Sequence, residues 1–292
     1  MPNLKEVRTR IESVKSTQQI TSAMKMVSAS KLRKAQNGIQ QLRPYAGKLN
    51  EILQNVSSNT QSEVSEKFTA NRGSEKVLLV AIASNRGLCG GFNSSIAKKV
   101  NHLVEGEFKD QFQKGNLKLF CIGRKLVEVF QKRPELMIHK EEDVFDNLNS
   151  AESGKIAQQL MDWFSEKKYD QIILVYNSFK NAAVQILKQE QYLPLLPSAE
   201  GKGSKSYDYI FEPGKESILS ELVPKALKTQ IFKVLLDSFA AEQGARMTAM
   251  HKATDNAQSL QRELQLAYNK ARQAAITNEI LEIVSGAEAL NA

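Results

Sequence analysis

The chain has 292 residues, 41% of them hydrophobic and 25% charged, which suffices for a sizeable core in one or two domains. No apolar run reaches the roughly 18 residues of a membrane span, and the start, Met1-Pro2-Asn3-Leu4-Lys5-Glu6-Val7, has no secretory h-region. Two distant cysteines, Cys89 and Cys121, point to a reducing compartment, and the scattered His102, His139 and His251 have no metal-ligand spacing, so no cofactor or metal is expected.

The first predicted element is a long helix. Steps of three and four from Leu4 run through Val7, Ile11, Val14, Gln18, Thr21, Lys25, Ser28, Leu32, Ala35, Ile39, Leu42, Ala46, Leu49, Leu53 and Val56, the spacing of a coiled-coil seam. Gln18 to Ser28 form a polar break in it, and Pro44 predicts a bend rather than a stop. This helix, residues 1–57, holds ten basic residues against three acidic up to Val56, nearly the whole net charge of +8. Such a surface fits an acidic partner or is a solvated basic face; charge alone leaves both open. An aperiodic polar linker follows over residues 58–76.

Residues 77–214 have a different texture. Val77–Ala83 is a short apolar run, the mark of a buried strand. The glycine-rich turn Ser84-Asn85-Arg86-Gly87-Leu88-Cys89-Gly90-Gly91-Phe92-Asn93 comes next, then a helix expected over Ser94–Phe112. Further strands are expected at Leu117–Ile122, Gln171–Tyr176, Ala183–Leu187 and Tyr192–Leu195, and helices near Lys125–Phe130 and Ala151–Lys167. This alternation predicts a mostly parallel α/β domain with an antiparallel edge. The turn lacks a phosphate-binding Lys-Ser/Thr, and Gly87, Gly90 and Gly91 miss the dinucleotide spacing, so a tight turn is expected there and Cys89 reads as a small buried thiol.

Residues 215–292 return to helix. The steps from Ile218 give Leu222, Lys225, Thr229, Phe232, Leu236, Phe239, Gln243, Arg246, Met250, Ala253, Ala257, Leu260, Leu264, Ala267 and Ala271, with Pro224 in the first turns and a C-cap expected at Gly286. Two seams bury most cheaply against each other, as an antiparallel coiled coil. Pairing Val56 with the region of Ile218 places Leu4 opposite about position 270. From about 271 onward the helix is then unpaired, and Ile276, Ile280, Leu281, Ile283, Val284 and Leu290 need a socket in another protein.

Three stretches carry a resemblance to a known family. Ile20–Leu32 (ITSAMKMVSASKL), Ser84–Asn93 (SNRGLCGGFN) and Tyr268–Ile280 (YNKARQAAITNEI), the last followed by Ile283–Ala287 (IVSGA), resemble the bacterial-type F-type ATP synthase gamma subunit family. The resemblance implies an antiparallel coiled coil of the N- and C-terminal helices plus a Rossmann-like α/β domain. It also implies a non-catalytic central rotor stalk that couples ion flow to the conformational cycle of the catalytic subunits, and the reverse during ATP hydrolysis. The implied partners are three alpha and three beta subunits, an epsilon subunit and the membrane c ring, on the cytoplasmic side of the cell membrane. By the same resemblance Met24, Lys25, Arg272, Gln273, Thr277 and Glu279 face the beta subunits, and Tyr209 and Glu212 lie at the foot. Two other readings compete. A basic coiled-coil module for nucleic acid or an anionic membrane surface would interleave aromatics with its cations, whereas the N-terminal helix has only Tyr45. A Rossmann-type enzyme would carry a cofactor fingerprint and convergent catalytic groups, which are not visible.

Overall fold

A computed structural model describes residues 4–57, 67–70, 72–195 and 214–291. Most of the expected linker, and Tyr209 and Glu212, lie outside the described residues. Helix α1 spans Leu4–Ser57. The α/β part runs β1 (Val77–Ile82), α2 (Phe92–Glu105), α3 (Lys109–Gln113), β2 (Leu117–Ile122), α4 (Arg124–Phe130), β3 (Met137–Glu141), α5 (Ser150–Ser165), β4 (Gln171–Phe179) and β5 (Gln185–Leu193). Helix α6 spans Lys215–Asn291. Two compact units arise, one of residues 1–28 with 247–292 and one of residues 29–246.

In the first unit the two helices run antiparallel. Thr254 Oγ1 donates to Thr21 Oγ1 at 2.8 Å, and Lys25 Nζ lies 3.4 Å from His251 Nδ1. Continuing that register outward by 17 residues on each helix puts Leu4 opposite about position 271. Burial along α1 follows the predicted seam, with Val7, Thr21 and Ser28 buried and Ile11, Val14, Gln18 and Lys25 partly so. On α6 the seam departs from expectation. Leu260 is exposed, and the inward positions are Ala257, Gln261, Leu264, Tyr268 and Ala271. The expected step of three to an apolar residue is in fact a step of four to Gln261, because helix phase outranks side-chain type at a two-helix seam. The helix also passes Gly286 without capping: a lone glycine costs about 1 kcal/mol, which does not stop a long helix.

The second unit is built on a five-stranded sheet, order β3-β2-β1-β4-β5, parallel except for the antiparallel β4–β5 pair. Strand alternation splits the core between the two faces. Leu78, Val80, Ile82, Ile172, Leu174 and Tyr176 pack with α5 and α6, while Val77, Leu79, Ala81, Ile173 and Val175 pack with α2 and α4. The helix expected over Ser94–Phe112 is two helices, because α2 closes at Gly106, whose N–H bonds to His102 O. Strand β3 had no sequence signal: MIHKE is a half-buried edge strand whose exposed row is Ile138 and Lys140. The two short segments expected after β4 are one strand, β5.

Candidate functional site

In open parallel sheets, ligands bind beyond the carboxyl ends of the strands, where the connections diverge. Here that place lies past β1 and β4, whose connections run in opposite directions along the sheet, β1 to β2 and β4 to β5. Its polar groups bond largely to one another, although the buried Asn85 Nδ2 has no partner among the described residues. Asn93 Oδ1 accepts from Ser84 N at 3.1 Å and Ser84 Oγ at 2.9 Å, and Ser84 Oγ also lies 2.7 Å from Arg86 O. Asn177 Nδ2 donates to Phe92 O at 3.0 Å, tying the end of β4 to the start of α2.

Helix α6 crosses this opening and fills it. Asp237 Oδ2 accepts from Ser178 Oγ at 2.7 Å, and its Oδ1 accepts from Phe179 N at 3.2 Å. One turn on, Ala241 is fully buried in the core of the α2 and α4 face. Gly244 lets the helix lie against the hairpin: a Cβ there would stand 3.2 Å from the Phe179 ring and 3.3 Å from Ala182 Cα. Arg246, itself buried, donates to the carbonyls of Gly87 and Arg86 and to Glu242. Burial pushes the Glu242 carboxyl up, and the Arg246 cation opposes that shift. The pair takes the glycine-rich turn as its third member, so the buried guanidinium is hydrogen-bonded on three sides.

The turn is therefore a structural clasp in place of a nucleotide cradle. Cys89 is buried, and desolvation raises its thiol; Cys121 is deeper, pushed up to about 12. Neither has the exposed, electropositive setting of a reactive thiolate. At the tip Leu88 stands 66% exposed with φ of 62°, an uncommon conformation for a branched side chain. Among the described residues no group of three or more His, Cys, Asp or Glu could hold a metal ion.

The first unit carries the other candidate surface. Ile20, Met24 and Val27 each precede a seam position, so they form a stripe beside the Thr21, Lys25, Ser28 seam. Ile20 is 61% exposed and Val27 56%, while Met24 and Lys25 are half-buried. Farther along, every residue from Ile276 to Ala287 is exposed, including Ile280, Leu281, Ile283 and Val284. Arg272, Gln273, Thr277 and Glu279 are exposed on this segment, and Thr277 Oγ1 donates to Gln273 O within its own helix.

The chain is similar throughout to proteins of one kind. A family model described as ATP synthase matches residues 3–290. The ATP synthase gamma chain of Flavobacterium johnsoniae is 54% identical over 291 residues, covering 100% of both chains, and that of Christiangramia forsetii is 52% identical over 292 residues at the same coverage. The chain belongs to the ATP synthase gamma chain family. Among solved structures, the Tetrahymena thermophila mitochondrial ATP synthase central stalk and c ring contains a chain 28% identical, with a TM-score of 0.61 over 80% of this chain and 99% of that one. A chain of the Euglena gracilis mitochondrial enzyme, 19% identical with a TM-score of 0.69 over 98% and 94%, shares the fold. A gamma chain is a non-catalytic subunit of its complex, and the filled crevice gives that role a physical basis. Sequence reading missed Asp237, Gly244 and Arg246 as the residues that fill it. The available signal was Leu219, Val223, Leu227 and Ile231, a second apolar row at steps of four that faces the sheet and not the seam.

Proposed function

We propose that this chain is the central stalk of an F-type ATP synthase, turning inside a ring of three alpha and three beta subunits. Its base rests on the c ring beside an epsilon subunit, at the cytoplasmic face of a bacterial cell membrane. The reading rests above all on the unpartnered tail: five large apolar side chains, Ile276, Ile280, Leu281, Ile283 and Val284, are left 44% to 72% exposed at the end of one helix. Exposed apolar surface forgoes about 25 cal/mol per Å² of burial, so such a tip gains most inside a protein sleeve. Arg272, Gln273, Thr277 and Glu279 would hydrogen-bond to beta subunit loops around it, and Tyr209 and Glu212 would meet the c ring at the foot. Met24 and Lys25, beside the exposed Ile20 and Val27, would form the face on which the beta subunits push. Coupling then works by differential contact, since each rotor angle favours a different set of beta conformations.

Met24→Lys tests the driven face. It adds a cation beside Lys25 on a surface already rich in positive charge, so an acidic partner loop would form an extra ion pair that must break at each step. Partly buried pairs of this kind hold a few kcal/mol. The assembled complex is expected to hydrolyse ATP while pumping fewer ions per ATP, with a steeper temperature dependence. An unchanged pumping ratio and temperature dependence would remove Met24 from the driven face. Failure of the chain to co-purify with alpha and beta subunits would overturn the stalk reading itself.

A further inference from the structure

The joint between α6 and the sheet has two kinds of contact with different mechanical meaning. Leu219, Val223, Leu227, Ile231, Val234 and Leu235 give an apolar face that resists separation. Such contacts have no preferred direction, so they resist sliding weakly. Directional bonds resist it: Arg246 ties α6 to the turn after β1, and a set of bonds between Leu227 and Asp237 ties it to the β4–β5 hairpin. Tyr192 Oη donates to Leu227 O at 3.2 Å. Glu190 bridges Gln230 Nε2 at 2.9 Å and Tyr176 Oη at 2.9 Å. Asp237 spends both carboxylate oxygens across the joint, where Glu190 spends only one, and one of its donors is a main-chain amide at the end of β4. Bonds to an ionised acceptor are about twice as strong as neutral ones. Beyond Asp237, Phe179 and Leu187 of the hairpin share an apolar cluster with Ala241 and Ala245, and Gly244 lies close against Phe179 and Ala182.

We propose that Asp237 is a positioning residue for energy coupling: a latch that takes the shear between the sheet and α6, so that the α/β domain and the C-terminal helix turn as one body under load. The proposal rests on the stalk reading above. It needs no contact between Asp237 and any nucleotide or partner subunit; it acts through Ser178 and Phe179.

The test uses the whole complex in sealed vesicles. Asp237→Ala is expected to leave ATP hydrolysis near the parent rate when no ion gradient opposes it. Against a growing gradient, pumping should stall at a smaller gradient than in the parent. Hydrogen exchange at the Phe179 amide should rise roughly tenfold, as for loss of one bond to a charged acceptor. Asp237→Asn keeps an acceptor for that amide and should recover most of the stall gradient. Full pumping against the parent's gradient by Asp237→Ala, with the amide bond shown to be lost, overturns the latch. Should Asp237→Ala fail to assemble, Asp237→Leu keeps the bulk and removes both bonds; a parental stall gradient there overturns the latch equally. Failure of the parent chain to rotate within its complex would instead overturn the stalk reading.

Discussion

At the scale of single residues, His139 reports on the core around it. Its imidazole stacks on Trp163 with ring centroids 4.3 Å apart, and Phe120 and Tyr169 meet the indole edge-on. Burial first, and the Lys168 cation second, hold His139 below its ordinary 6.5. The folded state therefore prefers the neutral ring. That preference contributes stability above about pH 6.5, and the contribution is lost as pH falls through the folded value. Trp163 is the sole tryptophan of the chain, so its fluorescence reads this titration directly. A midpoint below 6.5 is expected, with quenching on the acid side. His139→Gln should abolish the titration and flatten the loss of stability over the same range. A midpoint at or above 6.5 would contradict the burial assigned to the ring.

At the scale of elements, α6 has two jobs on two faces, and the sequence displays them unequally. The seam is legible because a two-helix interface repeats every three and four residues; the polar pair Thr21 and Thr254 within it is a register-setting hydrogen bond. The sheet-facing row was masked, since Leu219 to Ile231 can be absorbed into any apolar helix pattern until the sheet is in place. Strand β3 escaped notice because an edge strand needs only half a hydrophobic row. Gly244 reads in sequence as a modest helix defect, yet in the fold it is a close approach. Gly244→Val should destabilise the chain by about 1–3 kcal/mol through overpacking on Phe179 and Ala182. Gly47 in α1 has nothing within 4 Å of an added Cβ, and Gly47→Ala should stabilise by up to about 1 kcal/mol. Chemical denaturation of the two variants checks both signs, and equal effects would mean the contact at Gly244 carries no strain.

At the scale of the whole molecule, the tail marks where this chain's own fold stops. Antiparallel pairing brings Leu4 opposite about position 271, and no residue from Ile276 to Ala287 is covered by the described residues. A single helix of roughly 15 residues is marginal in water without packing. In the free chain, amide exchange should be fast from about position 276 onward and slow where α1 and α6 pair. Deleting residues 286–292 should leave the melting temperature of the free chain unchanged, while longer deletions reaching Thr277 and then Arg272 should weaken assembly stepwise. Strong protection of the last residues in the free chain would show that they fold back on their own coil.

The filled crevice has a consequence for regulation. Sheets of this layout elsewhere keep that opening for a small molecule, and their stiffness then varies with how much of it is bound. In this chain the occupant is covalently part of the same polymer, held by Asp237, Ala241 and Arg246. Occupancy of this opening is thus expected to be the same at any metabolite concentration. A cell starved of ATP and one replete with it would work the same spring constant there, leaving the response to nucleotide supply to other subunits.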